Sequence, residues 1–278
     1  MNAAAATSEQ SASGTAISFR HVSKLFGGVA ALDDVSFEVG RGEVHCLAGE
    51  NGSGKSTLIK IITGVYKPEP GAEMSYFGKP ETSVTPNSAR NHGIAIIWQD
   101  LALFPEMTVA ENIAFDTLLG KRPRLVSYRA MRRIAETALG KLGVDLDLEA
   151  RLNTLPISQR QVAAIARALV SDAKLIFMDE PTASLTQAET DNLLAVVRTL
   201  SASGVAVVFV SHRLAEVIDI SSRVTVLRDG KLVGVFATEG MTQSRLTELM
   251  TGKTFDKVVA ARDTSSNRPM LEIEGLSR

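Results

Sequence analysis

Short apolar runs, each followed by polar residues and then by apolar positions at helical spacing, set the rhythm of this chain. Ile17 to Val22 and Val35 to Val39 alternate as short strands, and Glu43 to Ala48 forms a third that runs into a glycine-rich turn. A helix follows from about Lys55 to Thr63. Further along, Ile94 to Ile97, Leu175 to Met178 and Val205 to Val210 are apolar throughout, the pattern of strands buried on both faces. Strands alternating with helices predict an α/β fold, a mainly parallel sheet covered by helices, with ligands expected at the carboxyl ends of the strands.

The stretch from about 100 to 172 breaks the rhythm. It carries almost no strand-like alternation, while Met131, Ile134, Ala135, Ala138 and Leu142 recur at helical spacing, so it reads as an inserted helical subdomain. Beyond it, Thr186 and Glu189 make a capping box for a helix with Leu193, Val197 and Leu200 on one face, ending at Ser203 and Gly204. The residues ISFRHVSK from Ile17 to Lys24 match LEIEGLSR from Leu271 to Arg278 in their order of apolar, polar, serine and basic positions. The expectation is that 270–278 begins a second copy of the unit, with 253–269 as a linker; an ordinary terminal strand is the alternative. Residues 1–15 have neither a basic start nor a sustained apolar run and read as a disordered tail and not a secretion signal.

Composition narrows the function. The chain has 278 residues, 45% hydrophobic and 22% charged, which is globular composition. Thirty Lys and Arg against 31 Asp and Glu leave a net charge of −1, without the basic excess that draws a protein onto nucleic acid. The single cysteine, Cys46, cannot form an intrachain disulfide and lies in an apolar run as a small buried thiol. No apolar run has the length of a membrane-spanning helix.

Chemistry is carried by two segments. GENGSGKST, from Gly49 to Thr57, satisfies G-x-x-x-x-G-K-[ST] between a predicted strand and a predicted helix. Its glycines let successive backbone N–H groups converge on phosphate oxygens, and the helix dipole beginning near Lys55 favours the anion. Lys55 would reach the β and γ phosphates, and Ser56 would hold Mg²⁺. The second segment, KLIFMDE from Lys174 to Glu180, is an apolar strand ending in two carboxylates before Pro181. Asp179 fits a magnesium-coordinating group, and Glu180 is the candidate general base for an attacking water; a carboxylate that merely complements a helix dipole is the alternative for Glu180.

With these motifs the chain, from about Ala16 to Gly252, resembles the ATP-binding cassette family. Within it, the resemblance is to the first cassette of the tandem ATPase subunits of bacterial importers of the ribose, xylose and galactose type. The resemblance implies a phosphate-loop NTPase with a mainly parallel central sheet, a small antiparallel β subdomain and an inserted helical subdomain. It further implies that Phe26 stacks on adenine, that Gln99 in IIWQD is the Q-loop residue and a third magnesium ligand, that 155–169 is the signature segment with its helix, and that His212 in VSHR is the switch histidine. Phe26 has ordinary packing as its alternative, and His212 a surface position at a strand end. The implied ligand set is ATP with Mg²⁺: Phe26, Gly49, Asn51, Gly52, Ser53, Gly54, Lys55, Ser56, Thr57 and Asp179 bind nucleotide; Ser56, Gln99 and Asp179, the last through water, hold the metal; and Glu180, His212 and Gln99 act in hydrolysis. Implied partners are transmembrane permease subunits, a second cassette and, indirectly, a periplasmic sugar-binding protein, with no nucleic acid. The implied location is cytoplasmic, peripheral on the inner face of the plasma membrane.

Two departures from the family pattern stand out. The signature LSGGQ reads LPISQ here, with Pro156 in place of the serine and Ser158 in place of the second glycine, and Thr186 replaces the usual aspartate of the D-loop. A lost hydroxyl and an added side chain weaken the signature's contact with a γ-phosphate. The expectation is an asymmetric pair of sites: Lys55, Asp179 and Glu180 form one with a signature from the second cassette, and the reverse site, using LPISQ, is slow, as is hydrolysis by this chain alone. A cassette ATPase acting on the ribosome or DNA is the alternative function. No N-K-x-D guanine motif occurs, and a small-molecule kinase would leave the signature-like helix and His212 without a role.

Overall fold

Two sheets share the strands, and their difference follows from which faces are buried. The computed structural model describes residues 14–120, 127–253 and 274–275. The chain opens with β1 (Thr15–Phe26) and β2 (Val29–Gly40), a long hairpin, then β3 (Val44–Ala48) and α1 (Lys55–Ile62). β4 (Glu73–Tyr76), β5 (Lys79–Glu81), α2 (Pro86–Asn91) and β6 (Ile94–Ile97) follow. The helical stretch holds α3 (Val109–Gly120), α4 (Tyr128–Leu142), a short 3-10 turn at Leu152–Thr154 and α5 (Ile157–Val170). After it come β7 (Leu175–Asp179), α6 (Gln187–Ala202), β8 (Ala206–Val210), α7 (Leu214–Ile220), β9 (Arg223–Arg228), β10 (Lys231–Ala237) and α8 (Gln243–Thr251).

The larger sheet has the order β10-β9-β3-β8-β7-β6. Pairings from β6 through β7, β8 and β3 to β9 are parallel, and β10 closes the edge antiparallel. Its central strands are buried on both faces, and alternation divides them between two cores. Ile176, Met178, Val207 and Phe209 pack with α4, α5 and α6, whereas Leu175, Phe177, Ala206 and Val208 pack with α1 and the other sheet. That second sheet is antiparallel, in the order β2-β1-β4-β5. The apolar face of α1, with Leu58, Ile59, Ile61 and Ile62 fully buried, lies in the cluster shared by both sheets.

A largely buried ionic knot on the larger sheet reaches β2 of the other through Gly40 N, which donates to Glu43 Oε2 (2.6 Å), and the Glu38 carbonyl, which accepts from Arg223 Nη2 (3.3 Å). Glu43, just before β3, accepts from both the Nε and Nη2 of Arg223 on β9 (2.8 and 2.7 Å) and pairs with the Nδ1 of His45 (2.9 Å), whose Nε2 meets the Thr225 hydroxyl at 2.7 Å. Burial raises the Glu43 carboxyl, but the hydrogen bonds from His45 and Arg223 outweigh it and hold the pKa at about 2.

The α/β reading and the helical insertion agree with the structure. The apolar positions read in 131–142 fall on α4, with Ala135, Ala138 and Leu142 buried. Elements the periodicity did not reveal are β4, β5, α2, α8 and the β9–β10 hairpin, while α7 is the helix expected after the apolar run 205–210. β4 and β5 are too short for alternation to register, and β10 lies half-exposed at a sheet edge. Thr15, assigned to the tail by composition, is the first residue of β1, and the Gly14 carbonyl accepts from Arg41 N at 2.7 Å, so pairing and not composition sets that boundary. The rest of the tail, the linker over 254–269 and, apart from Glu274 and Gly275, the second-copy segment lie outside the described residues. Among the described residues no helix is long and apolar enough to cross a membrane.

Candidate functional site

Parallel register delivers the chemistry to one edge. β3, β8, β7 and β6 are consecutive neighbours running the same way, so their carboxyl ends bring together the loop after Ala48, Ser211 and His212, the pair Asp179–Glu180, and Trp98 with Gln99. The loop after β3 is steered by what its glycines exclude. A Cβ at Gly49 would lie 2.4 Å from both the Leu227 carbonyl and the Ser53 hydroxyl, and one at Gly54, where φ is +102°, would lie 2.6 Å from the Ala31 carbonyl. Gly54 precedes α1 without a side-chain cap, so the first N–H groups of that helix are left to another partner. Lys55 Nζ folds back and donates to the carbonyls of Gly49 (2.7 Å) and Glu50 (2.9 Å), while Asn51, Gly52 and Ser56 are exposed and Thr57 is half-buried. The Ser53 hydroxyl is buried and has no hydrogen-bond partner among the described residues.

Opposite the loop stand the carboxylates. Burial, and next the charge of Glu180, push the Asp179 carboxyl above its ordinary value against the opposing pull of Lys55 and Lys60. Burial lowers the Lys55 ammonium, with Glu180 and Asp179 acting the other way. Glu180 has φ of +48°, unusual for a residue with a side chain, and its N–H donates to the Val210 carbonyl at 2.9 Å, fixing it beside the end of β8. There its Oε1 lies 3.2 Å from the Nδ1 of His212. Lys55, Asp179, Glu180 and His212 therefore form one cluster of titratable side chains. Among the described residues no hydrogen bond joins Gln99 or Phe26 to it; Gln99 is exposed two residues past β6, and Phe26 stands 43% exposed at the end of β1.

Two residues that the sequence pattern does not single out support this edge. Tyr66 meets Phe26 edge-on at 5.3 Å, with Lys60 Nζ over its own ring at 5.3 Å; only its position soon after α1 hints at this. Glu216 on α7 is buried and accepts from the hydroxyls of Thr182 and Ser211 and from Arg213, tying the segment after Glu180 to that around His212. A buried carboxylate on a short helix leaves no periodic signature. Cys46 is fully buried in β3, and desolvation pushes its thiol up to about 12.

Residues 32–183 match the family described as ABC transporter. The chain belongs to the ABC transporter family. Within that family it is 45% identical over 266 residues to the ribose import ATP-binding protein RbsA 1 of Rubrobacter xylanophilus and 42% identical over 266 residues to RbsA 2 of Streptomyces avermitilis, in each case over 94% of this chain and 52% of the relative. The chain thus spans about half the length of the curated relatives it matches. Among solved structures, an ATP-binding cassette of an ABC transporter in its ADP conformation superposes with a TM-score of 0.74 at 27% identity, covering 86% of this chain and 99% of that one. A nucleotide-free cassette from an ABC transporter gives 0.71 at 27% identity, over 80% and 91%. The ABC fold is the one the family resemblance implies, and its mainly parallel sheet covered by helices is what the alternation of strands and helices predicts.

Proposed function

We propose that this chain is an ATP-binding and hydrolysing cassette of an ABC importer for a monosaccharide, occupying 16–252, followed by a linker and the start of a second cassette. The observation that carries this reading is the convergence of Lys55, Asp179, Glu180 and His212 at the carboxyl edge of adjacent parallel strands, beside a loop in which Gly49 and Gly54 leave no room for a side chain. The ribose-import names of its relatives support the sugar class and the partnership with permease subunits. A chain so partnered works at the inner face of the plasma membrane, with a periplasmic sugar-binding protein acting indirectly.

The donor set fits Mg²⁺. Ser56 offers an exposed hydroxyl at the start of α1, and Asp179 offers a carboxylate that Glu180 destabilises and a cation relieves, both hard oxygen ligands. Bound there with ATP, the metal neutralises phosphate charge; Ser56, Asp179 through water, and Gln99 would hold it. Phosphates are received by the backbone N–H groups of 49–57 and by Lys55, which exchanges its bonds to the Gly49 and Glu50 carbonyls for phosphate oxygens. Phe26, exposed and braced by Tyr66, offers its face to adenine. Glu180 takes a proton from the attacking water, and His212 holds the Glu180 carboxylate in place through the contact at 3.2 Å.

Coupling to a permease runs through the surface near Gln99 to Pro105. A groove of about 370 Å³ opens there, lined by Trp98, Leu101, Leu103 and Arg167 among others. The degenerate LPISQ segment makes the paired sites unequal, so Pro156→Ser together with Ser158→Gly in the full-length protein raises total turnover, and unchanged turnover removes the asymmetry. Calorimetric titration of Mg²⁺-ATP and Mg²⁺-GTP into the folded chain tests the core reading. Expected is ATP binding that Lys55→Ala abolishes, with GTP equal or weaker; no nucleotide binding by a folded sample overturns it.

A further inference from the structure

The two departures from the family's motifs, distant in the chain, meet in space. α5 begins after Pro156, which offers no side-chain cap, and its first turn holds no acidic residue. A helix start of this kind leaves its N–H groups and its positive end without a local anion. The anion arrives from α6. Ser158 Oγ, in the first turn of α5, donates to Glu189 Oε1 at 2.8 Å, while Glu189 Oε2 accepts from Thr186 N at 3.0 Å and Thr186 Oγ1 at 2.8 Å. The Thr186 N–H, then the Ser158 and Thr186 hydroxyls, hold this carboxyl below its ordinary value. Glycine at 158 has no hydroxyl to donate, and aspartate at 186 sets a second carboxylate where Thr186 supplies a donor. One turn further along α5, the buried Gln161 Nε2 donates to the carbonyl of Pro181, the residue after Glu180. α5 therefore grips both ends of the segment 181–189.

We propose that Ser158, Glu189 and Thr186 form one hydrogen-bonded unit in which Glu189 is a positioning residue, serving the first turns of α5 and α6 together and fixing the signature segment against the strand end that carries Glu180. Its consequence for turnover rests on the ATPase reading above; its geometry does not. Ser158 and Thr186 are matched partners, so Ser158→Gly alone loosens the joint, whereas adding Pro156→Ser returns a hydroxyl to the start of α5.

Hydrogen exchange of the full chain tests the unit. Ser158→Ala, which has the better helix propensity, speeds amide exchange at the start of α5 and also in the first turn of α6 by about fivefold, the factor an ordinary net hydrogen bond sets on local opening. Ser158→Thr, which keeps the hydroxyl, restores wild-type exchange in both helices. Unchanged exchange in α6, or Ser158→Thr behaving as Ser158→Ala, overturns the unit. In parallel, Ser158→Ala lowers kcat for Mg²⁺-ATP a few-fold with KM unchanged, because Lys55 and the loop 49–57, which bind the nucleotide on this chain, are untouched; a change confined to KM overturns the positioning role. A wild-type chain that fails to bind ATP sinks the ATPase reading, and hydrogen exchange alone then decides whether the unit stands.

Discussion

The carboxyl edge of the six-stranded sheet and the start of α5 both place carboxylates beside helix N-termini, with opposite electrostatic outcomes. At the edge, burial and Glu180 raise the Asp179 carboxyl and burial weakens Lys55, so the protein's own groups leave the charges poorly matched. At α5, Glu189 receives three donors and its carboxyl is lowered. A site that receives a charged ligand is strained by its own residues, whereas a joint that only has to hold is satisfied internally.

Breaking the edge gives the largest effects. Glu180→Gln lowers turnover of Mg²⁺-ATP by about a thousandfold, the scale of a lost general base, while calorimetric ATP binding persists. Lys55→Ala removes calorimetrically detectable ATP binding, a loss of at least about a hundredfold in affinity, since charge-assisted phosphate contacts are lost. The same variant unfolds in urea much as the wild type does, because among the described residues the hydrogen bonds of Lys55 go to loop carbonyls.

Internally satisfied groups answer in stability instead. The Glu43 carboxyl is depressed from 4.5 to about 2, so its contribution is complete above the unfolded value and is lost as pH falls through about 2. Urea unfolding between pH 6 and pH 2 is expected to register about 2 kcal/mol of such loss in the wild type, absent from the pH dependence of Glu43→Gln. Arg167 on α5 bonds Asp116 of α3 at 2.9 and 3.1 Å and the Ala102 carbonyl at 3.2 Å, and its guanidinium lies against the packed pair of rings Phe104 and Phe115. Arg167→Ala is expected to cost about 1–2 kcal/mol in thermal unfolding, with Arg167→Lys recovering only part because an ammonium cannot reproduce the two-pronged contact. The smallest signal is Cys46: its buried thiol, raised to about 12, stays unmodified by iodoacetamide at pH 8 until the chain unfolds.

Much of the edge was legible because each part is local. A glycine loop after an apolar strand, a strand closing on Asp179 and Glu180, and a histidine after Val210 are each contained in a few residues, and parallel pairing then aligns strand ends without further information. Less was legible where contacts are distant or elements short. Glu216, Tyr66 and Arg167 gain their meaning from partners on other elements, and β4 and β5 are too brief to show alternation.

Sequence alone determined the fold class, the helical insertion and the phosphate-loop motif, because backbone preference and the period of burial act over neighbouring residues, and resemblance to the family picked out the degenerate signature. Tertiary structure decided that the replacements at 158 and 186 meet on one carboxylate, that Glu180 lies beside His212, and that Arg223 reaches both Glu43 and the Glu38 carbonyl of β2. Those contacts cross tens of residues of chain, and only the packing of helices on the twisted sheets sets which side chains come within hydrogen-bond reach.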